Sequence, residues 1–104
     1  MDRQEYLRLA DGCLDQVIDW LEAFDPDEVD FTSADGVLKV EFPDGAVYVI
    51  NRQAAVDQMW FAAGSRAWHY DWNGSEWRCD KDNHELLSRV AESISEKIGR
   101  TVSF

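Results

Sequence analysis

Apolar residues near the start of the chain recur at three- and four-residue intervals, which is the spacing of one face of a helix. This pattern predicts an amphipathic helix from Arg3 to Phe24. Pro26 would end it, because proline cannot continue the hydrogen-bond ladder of a helix. The apolar stripe consists of Leu7, Ala10, Leu14, Val17, Ile18, Leu21 and Phe24.

A second helix is predicted close to the C-terminus. Asp82 and Glu85 resemble a capping box that opens this helix, and Gly99 is a typical residue to end it. The residues that we expect to face inward are Leu87, Val90, Ala91, Ile94 and Ile98. The closing segment "RTVSF" carries two apolar residues, enough to dock on a core.

Between the two helices, apolar and polar residues alternate in short runs, as they do in half-buried strands. "FPDG" and "NGS" mark two hairpin turns. The predicted strands are Val37 to Phe42, Ala46 to Gln53, Gln58 to Ala63, Ala67 to Trp72 and Glu76 to Asp80, preceded by a short edge strand at Phe31 to Ser33. This order indicates an α+β fold with two helices on one face of a five- to six-stranded antiparallel sheet. The other face must then meet water or a partner.

The length and composition of the chain fit one folded unit. With 104 residues, 45% of them hydrophobic and 30% charged, we expect a single domain over residues 1–104. No apolar run approaches the ~20 residues that span a membrane. The first residues, "MDRQEYLRLADG", lack the apolar stretch of a secretory signal, so a cytoplasmic protein is expected.

The two cysteines are far apart in the sequence. Neither Cys13 nor Cys79 belongs to a CxxC motif or a His/Cys cluster. A disulfide framework or a zinc site would need closer spacing or more ligands. We therefore expect two buried, reduced thiols that belong to the core.

Negative charge is concentrated in one part of the chain. The formal net charge is −11, and the segment from Leu9 to Leu38 carries nine acids and no Lys, Arg or His. A protein that binds nucleic acid needs a basic stripe, which is missing here, and an anionic membrane is disfavoured for the same reason. The field of the protein instead favours cations or a basic protein surface.

Eight of these acids form what we call the acidic ridge: Asp11, Asp15, Asp19, Glu22, Asp25, Asp27, Glu28 and Asp30. The four on the predicted helix fall within an arc of about 80° beside the apolar stripe. Each like-charged pair at i, i+4 costs about 0.2–0.5 kcal/mol, and the last acids lie near the negative end of the helix dipole.

The acidic ridge has two interpretations. It could be a solvated face that keeps the protein in solution, as most charge runs are. However, the helix has no compensating Lys between Leu9 and Phe24, and the acids continue beyond it into the loop. Carboxylate oxygens without His or Cys suit hard cations. An open array of this kind is expected to bind several ions weakly.

Strand alternation predicts a second candidate surface on the uncovered face of the sheet. If Tyr48, Ile50, Met59, Phe61 and Tyr70 point into the core, their neighbours point outward. The outward set is Asn51, Gln53, Trp60 and His69. An exposed Trp beside amide side chains is typical of a protein contact surface. The alternative is that the Trp is half-buried and only fills space.

The sequence gives no sign of an enzyme active site. His69 and His84 are too far apart to form a catalytic pair, and neither lies in a di-iron ExxH motif. There is no GxSxG motif, P-loop or GxGxxG motif, and no nucleophile lies beside a base. We therefore predict a protein without catalytic residues.

Several stretches of the chain, taken together and in order, resemble the frataxin family, in its bacterial CyaY branch. They are "LRLAD", "GVLKVEFPDG", "VINRQ", "QMWFA", "WHYDW", "EWRCD" and "TVSF". The resemblance spans nearly the whole chain. Its most specific feature is "INRQ" followed by Gln-x-Trp.

This resemblance implies the frataxin α-β sandwich and a role in iron–sulfur cluster assembly, through contact with a cysteine desulfurase and its scaffold protein. In that family the first helix and strand carry acids that bind iron weakly and also meet a basic surface of the desulfurase. The corresponding positions here are Asp19, Glu22, Asp25, Asp27, Glu28 and Asp30. Asn51, Gln53 and Trp60 correspond to the family's partner surface, and His69 stands where some relatives carry Arg.

The chain departs from the family pattern at two loops and on the ridge. Ala54-Ala55 follows the "NRQ" motif where a Pro is common, and Arg66-Ala67 replaces a Gly-Gly pair. Both departures concern loop geometry, not the fold. Ile18 and Ala23 stand where close bacterial relatives carry acids, which implies fewer bound ions.

The resemblance implies an iron-binding regulator, or supplier of iron, for cluster assembly, which is expected to be a monomer. The ions would be Fe²⁺ or Fe³⁺, for which other divalent cations could substitute. One alternative is a purely acidic adaptor or DNA mimic, but a DNA mimic would spread its charge around the molecule. A ferroxidase is a further alternative, although the chain has no dedicated di-iron ligand set.

Overall fold

The computed structural model describes residues 1–104 and contains two helices and six strands. A 3-10 turn at Ala54–Val56 separates the third and fourth strands. In chain order the elements are α1 (Arg3–Leu21), β1 (Asp30–Ala34), β2 (Val37–Glu41), β3 (Val47–Gln53), β4 (Gln58–Ala63), β5 (Arg66–Trp72), β6 (Trp77–Cys79) and α2 (Leu86–Ile98).

Helix α1 begins as the sequence suggests but ends one turn early. Asp2 caps its start by accepting a hydrogen bond from the Glu5 amide at 2.8 Å. The predicted end at Phe24 is wrong. The amide of Phe24 donates to the Leu21 carbonyl, an i→i−3 bond that tightens the chain into a turn. Pro26 disfavours helical backbone in the residue before it, so the chain has already left the helix when it reaches the proline.

Helix α2 is capped by Glu85, not by the predicted pair of Asp82 and Glu85. The Glu85 carboxylate accepts hydrogen bonds from the amides of Leu87 at 2.6 Å and Ser88 at 3.0 Å. Leu86 is fully buried in place of Leu87, which is only partly covered. Gly99 ends the helix with φ at +77°, the left-handed conformation that glycine adopts without strain.

The sheet is a meander whose strands lie in chain order, β1-β2-β3-β4-β5-β6, each antiparallel to the next. The predicted edge strand is longer than expected, because Asp35 and Gly36 form a tight turn with positive φ at both residues, as a type I′ hairpin requires. At the other edge, β6 is shorter than predicted and covers three residues.

Both helices pack on one face of this sheet. The core is a cluster of 19 buried residues that includes Leu38, Ile50, Met59, Phe61 and Tyr70 from the strands. The predicted α+β sandwich is therefore confirmed, with six strands in the sheet. Neither helix combines the length and the hydrophobicity that a membrane span requires.

Candidate functional site

Six carboxylates of the acidic ridge are exposed and have no cationic partner. Two lie on α1, three follow it at its C-cap and in the next loop, and one stands at the start of β1. They are Asp15, Asp19, Glu22, Asp25, Asp27 and Asp30. None of the salt bridges in the protein involves them. The exposed carboxylates therefore repel one another with no cation of the protein between them.

The other two ridge acids are ion-paired with arginines from distant parts of the chain. Asp11 accepts a hydrogen bond from Arg52 of β3 at 2.5 Å, and Glu28 accepts two from Arg100 at 2.6 and 3.0 Å. The hydrogen bonds from Arg100 lower the pKa of the Glu28 carboxyl below its ordinary value. The ridge is thus neutralised at two positions, and its other six carboxylates remain unpaired.

Two further acids, which were not among the predicted site residues, extend the negative surface beyond the ridge. Glu41 stands directly opposite Asp30 in the β1–β2 ladder, and like charges in such positions repel. Asp35, in the turn between these strands, lines an open groove of about 470 Å³ together with Asp11 and Asp15. These neighbours arise from strand register and helix docking, which the local sequence pattern does not contain.

The acidic ridge does not form a closed metal cage. No three ridge carboxylates bring their oxygens within 4.8 Å of one another. Carboxylate oxygen is the ligand that hard cations prefer, but without a closed cage each ion would keep much of its water. This geometry suits several weakly held ions or a broad contact with a basic surface.

The outward face of the sheet brings the predicted partner residues into one row. Asn51 of β3, Trp60 of β4 and His69 of β5 are direct neighbours in the ladders. The Trp60 and His69 rings stack with centroids 4.3 Å apart and planes 20° apart. Gln53 lies on the same face, two residues further along β3 and opposite Gln58.

Trp60 is half-buried, and a polar network holds its ring in place. Its Nε1 donates to the Oε1 of Gln58 at 3.0 Å. The amide nitrogen of Gln58 in turn donates to Asp71 and Asp80 at 3.1 and 3.2 Å. Gln58 was not among the predicted site residues, although its place two residues before an outward Trp in the same strand was a usable signal. The ring is thus held on the outward face by its stack on His69 and its hydrogen bond to Gln58.

The two loops that depart from the family pattern have simple local structures. Ala54 and Ala55 lie in the 3-10 turn after β3, and Asp57 closes that turn in the left-handed conformation. Arg66 begins β5, and its guanidinium lies 5.0 Å from the centre of the Trp68 ring.

One cysteine has neighbours that the sequence interpretation excluded. Cys13 is a buried thiol of the core, and burial raises its pKa to about 12. Cys79 is also buried and unpaired, but its sulfur lies close to side-chain ligand atoms of Asp82 and His84. The statement that neither cysteine belongs to a His/Cys cluster is therefore wrong for Cys79.

Comparison with known proteins adds a family match and relatives over the full length of the chain. Residues 1–100 match the family model described as a frataxin-like domain. The iron–sulfur cluster assembly protein CyaY of Dechloromonas aromatica (strain RCB) is 35% identical over 103 residues, which is 98% of this chain and 97% of that protein.

Two solved structures share the fold. Frataxin from Psychromonas ingrahamii, of the CyaY family, superposes with a TM-score of 0.90 at 28% identity, covering 99% of this chain and 97% of that one. Trimeric frataxin from Saccharomyces cerevisiae, complexed with ferrous iron, superposes with a TM-score of 0.76 at 30% identity, covering 88% and 86%.

Proposed function

Because the chain belongs to the frataxin family, we propose that it binds iron weakly along the acidic ridge and serves iron–sulfur cluster assembly. It would supply iron to the assembly machinery or regulate it, by contacting the cysteine desulfurase and its scaffold protein. Support comes from the D. aromatica relative, which is an iron–sulfur cluster assembly protein, and from the yeast relative, which is complexed with ferrous iron.

The observation that carries this proposal is the uneven pairing of charge on the ridge. Six carboxylates between Asp15 and Asp30 lack a cation, while the ridge acids at Asp11 and Glu28 have arginine partners. The unpaired stretch gives up stability through repulsion and would regain it when a positive ion or a basic surface arrives.

Two kinds of partner would compete for this stretch. Fe²⁺ or Fe³⁺ would be held by exposed oxygens and remain exchangeable, which suits an ion that is cargo. A basic patch on the desulfurase would occupy the same carboxylates, so iron loading and protein contact would influence each other. The outward row of Asn51, Trp60 and His69 would supply the less charged part of the contact.

The iron site can be tested by NMR titration of the ¹⁵N-labelled protein with Fe²⁺ without oxygen. We expect paramagnetic broadening of backbone signals from α1 through β1, and loss of most of it in the double variant Asp19→Asn plus Glu22→Gln. The double variant Glu92→Gln plus Glu96→Gln removes the same charge from exposed positions of α2. Its signals from α1 through β1 should broaden as much as those of wild type. Equal broadening in all three proteins would contradict a site on the ridge.

The partner surface can be tested by replacing Trp60 with Ala. Trp60 occupies the centre of the outward row, so its removal should weaken binding to the desulfurase–scaffold complex at least ten-fold while circular dichroism stays unchanged. Val47→Ala is the matched control, because Val47 is 45% exposed on the same face of β3 but lies away from the row. Unchanged affinity of the Trp60→Ala variant, measured by calorimetry, would leave Trp60 a packing residue only.

We expect the protein to act as a monomer in the cytoplasm. Since the yeast relative is trimeric, sedimentation with and without iron checks the oligomeric state. A mass above that of one 12.0 kDa chain would contradict this expectation.

A further inference from the structure

A group of potential metal ligands lies at the end of β6 and in the loop between β6 and α2, apart from the acidic ridge. Cys79, Asp82 and His84 bring a thiol, a carboxylate and an imidazole within 4.8 Å of one another, and the chain contains no other such group of three. In a tetrahedral ion site, ligand atoms lie about 3.5 Å apart. One ion could therefore reach all three ligand atoms after a small adjustment of the side chains.

Backbone hydrogen bonds hold the loop in this shape. The Cys79 amide donates to the His84 carbonyl at 2.8 Å, and the Asn83 amide donates to the Cys79 carbonyl at 3.1 Å. Asn83 adopts a left-handed conformation with φ at +65°, which Asn tolerates better than most residues. The folded loop therefore keeps the ligand atoms of the three side chains within 4.8 Å of one another.

The His84 ring is also fixed on its far side. Its Nε2 lies 2.7 Å from the Tyr70 hydroxyl, and its Nδ1 contacts the Asp82 carboxylate. The ring packs edge to face against Tyr70 and Trp68. A histidine ligand usually donates its second ring N–H to a neighbouring oxygen, which orients it toward the metal. The Tyr70 hydroxyl is placed to accept that hydrogen bond.

We propose that Cys79, Asp82 and His84 form a binding site for one divalent transition-metal ion of borderline softness, such as Zn²⁺ or Co²⁺. Thiolate and imidazole distinguish this site from the all-oxygen ridge, which suits harder ions. On binding, the thiol proton of Cys79 and the proton that His84 Nδ1 shares with Asp82 pass to solvent, while the ring keeps a proton on Nε2 toward the Tyr70 hydroxyl. Thiolate plus carboxylate then balance the ion's two positive charges. Because Asp82 is exposed, water can reach the site and would supply the fourth ligand.

The site can be tested by adding Co²⁺ to the reduced full-length protein and recording the absorption spectrum. We expect a thiolate-to-cobalt charge-transfer band that saturates at one ion per chain and is abolished by an equal amount of Zn²⁺. Cys79→Ser should remove the band. Cys13→Ser, which deletes the other buried thiol, should leave it unchanged, as should the ridge variant Asp19→Asn plus Glu22→Gln.

Two further variants keep the test independent of the fold of Cys79→Ser. His84→Gln, at a half-buried position, should weaken Co²⁺ binding at least ten-fold. Tyr70→Phe leaves all three ligands in place and should weaken it about 10–100-fold through loss of the ring's second hydrogen bond. No band in wild type, a band that survives Cys79→Ser, or unchanged affinity in His84→Gln would each overturn the proposal.

Discussion

At the scale of single residues, Gly36 links the β1–β2 turn to the end of the acidic ridge. Its φ of +78° and a close approach both require glycine, because a Cβ there would lie 2.6 Å from the Nε of Arg52. Arg52 is the residue that pairs with Asp11, and its amide also donates to the Gly36 carbonyl at 3.0 Å. The turn therefore shapes the path by which Arg52 reaches α1.

We predict that Gly36→Ala lowers the free energy of unfolding more than Gly45→Ala does. Both residues have positive φ, so either alanine costs about 1–2 kcal/mol in backbone strain. Only Gly36 has a neighbour in the way, since nothing lies within 4 Å of a Cβ at Gly45. The additional loss of unfolding free energy in Gly36→Ala measures the cost of displacing Arg52 from Asp11. Urea denaturation measures both variants, and equal losses would mean that Arg52 moves aside freely.

At the scale of elements, the sequence predicted which helices and strands exist, and their order, but not how they begin and end. A periodic pattern extends over many residues and does not depend on any single one of them. For this reason α1, α2 and the meander could be recognised from the sequence. The early end of α1 and the choice of Glu85 over Asp82 as the cap depend on a few hydrogen bonds in the folded protein. Local pattern does not contain that information.

The candidate sites also contain features that the sequence predicts and features that depend on the folded structure. Strand alternation was sufficient to place Trp60 and His69 on one face, because orientation follows from a period of two. The pairing of Arg52 and Arg100 with ridge acids joins residues 41 and 72 positions apart, which no local spacing reveals. The Cys79–His84 loop spans six residues, but its convergence depends on the backbone at Asn83, and the sequence does not specify that conformation.

The N-cap of α2 gives a prediction at this scale. Replacing Glu85 with Ala leaves the amides of Leu87 and Ser88 without their acceptor, and loss of a cap costs about 0.5–2 kcal/mol. The control is Glu92→Ala, in the middle of the same helix, where the carboxylate has only a long contact of 3.9 Å with Arg89. Urea denaturation should show a clear loss for the first variant and little change for the second.

At the scale of the whole molecule, a net charge of −11 makes stability depend on the ions in solution. We predict that divalent cations at about ten times their dissociation constant stabilise the protein by about 1.4 kcal/mol. This raises Tm, because each kcal/mol corresponds to roughly 4–8 °C for a domain of this size. Asp19→Asn plus Glu22→Gln should raise Tm without added ions and reduce the further rise. If the α2 pair Glu92→Gln plus Glu96→Gln reduces that rise equally, the effect is general screening.

Low pH should weaken the two ion pairs that hold Lys97 and Arg100, near the C-terminus, against the rest of the protein. Arg100 lowers the pKa of Glu28, and Lys97 lowers the pKa of Asp44. A carboxyl whose pKa is lower in the folded state stabilises the fold above its ordinary pKa and loses this contribution as pH falls toward the folded value. Above pH 4.5, the ordinary pKa of Glu28, we expect Glu28→Gln to have a lower Tm than wild type. The difference in Tm should shrink as the pH falls below that value. A difference independent of pH would contradict this origin.

The meander order of the sheet has a consequence for how the protein forms. Since each strand pairs with its neighbour in the chain, the sheet can grow hairpin by hairpin as the polypeptide leaves the ribosome, and such short-range contacts favour fast folding. Helix α1 is synthesised first, yet has no apolar surface to lie on until β3 is made. Helix α2 follows all six strands, so the core closes only after α2 has been made, and a chain released before α2 would leave part of the sheet bare and prone to aggregate.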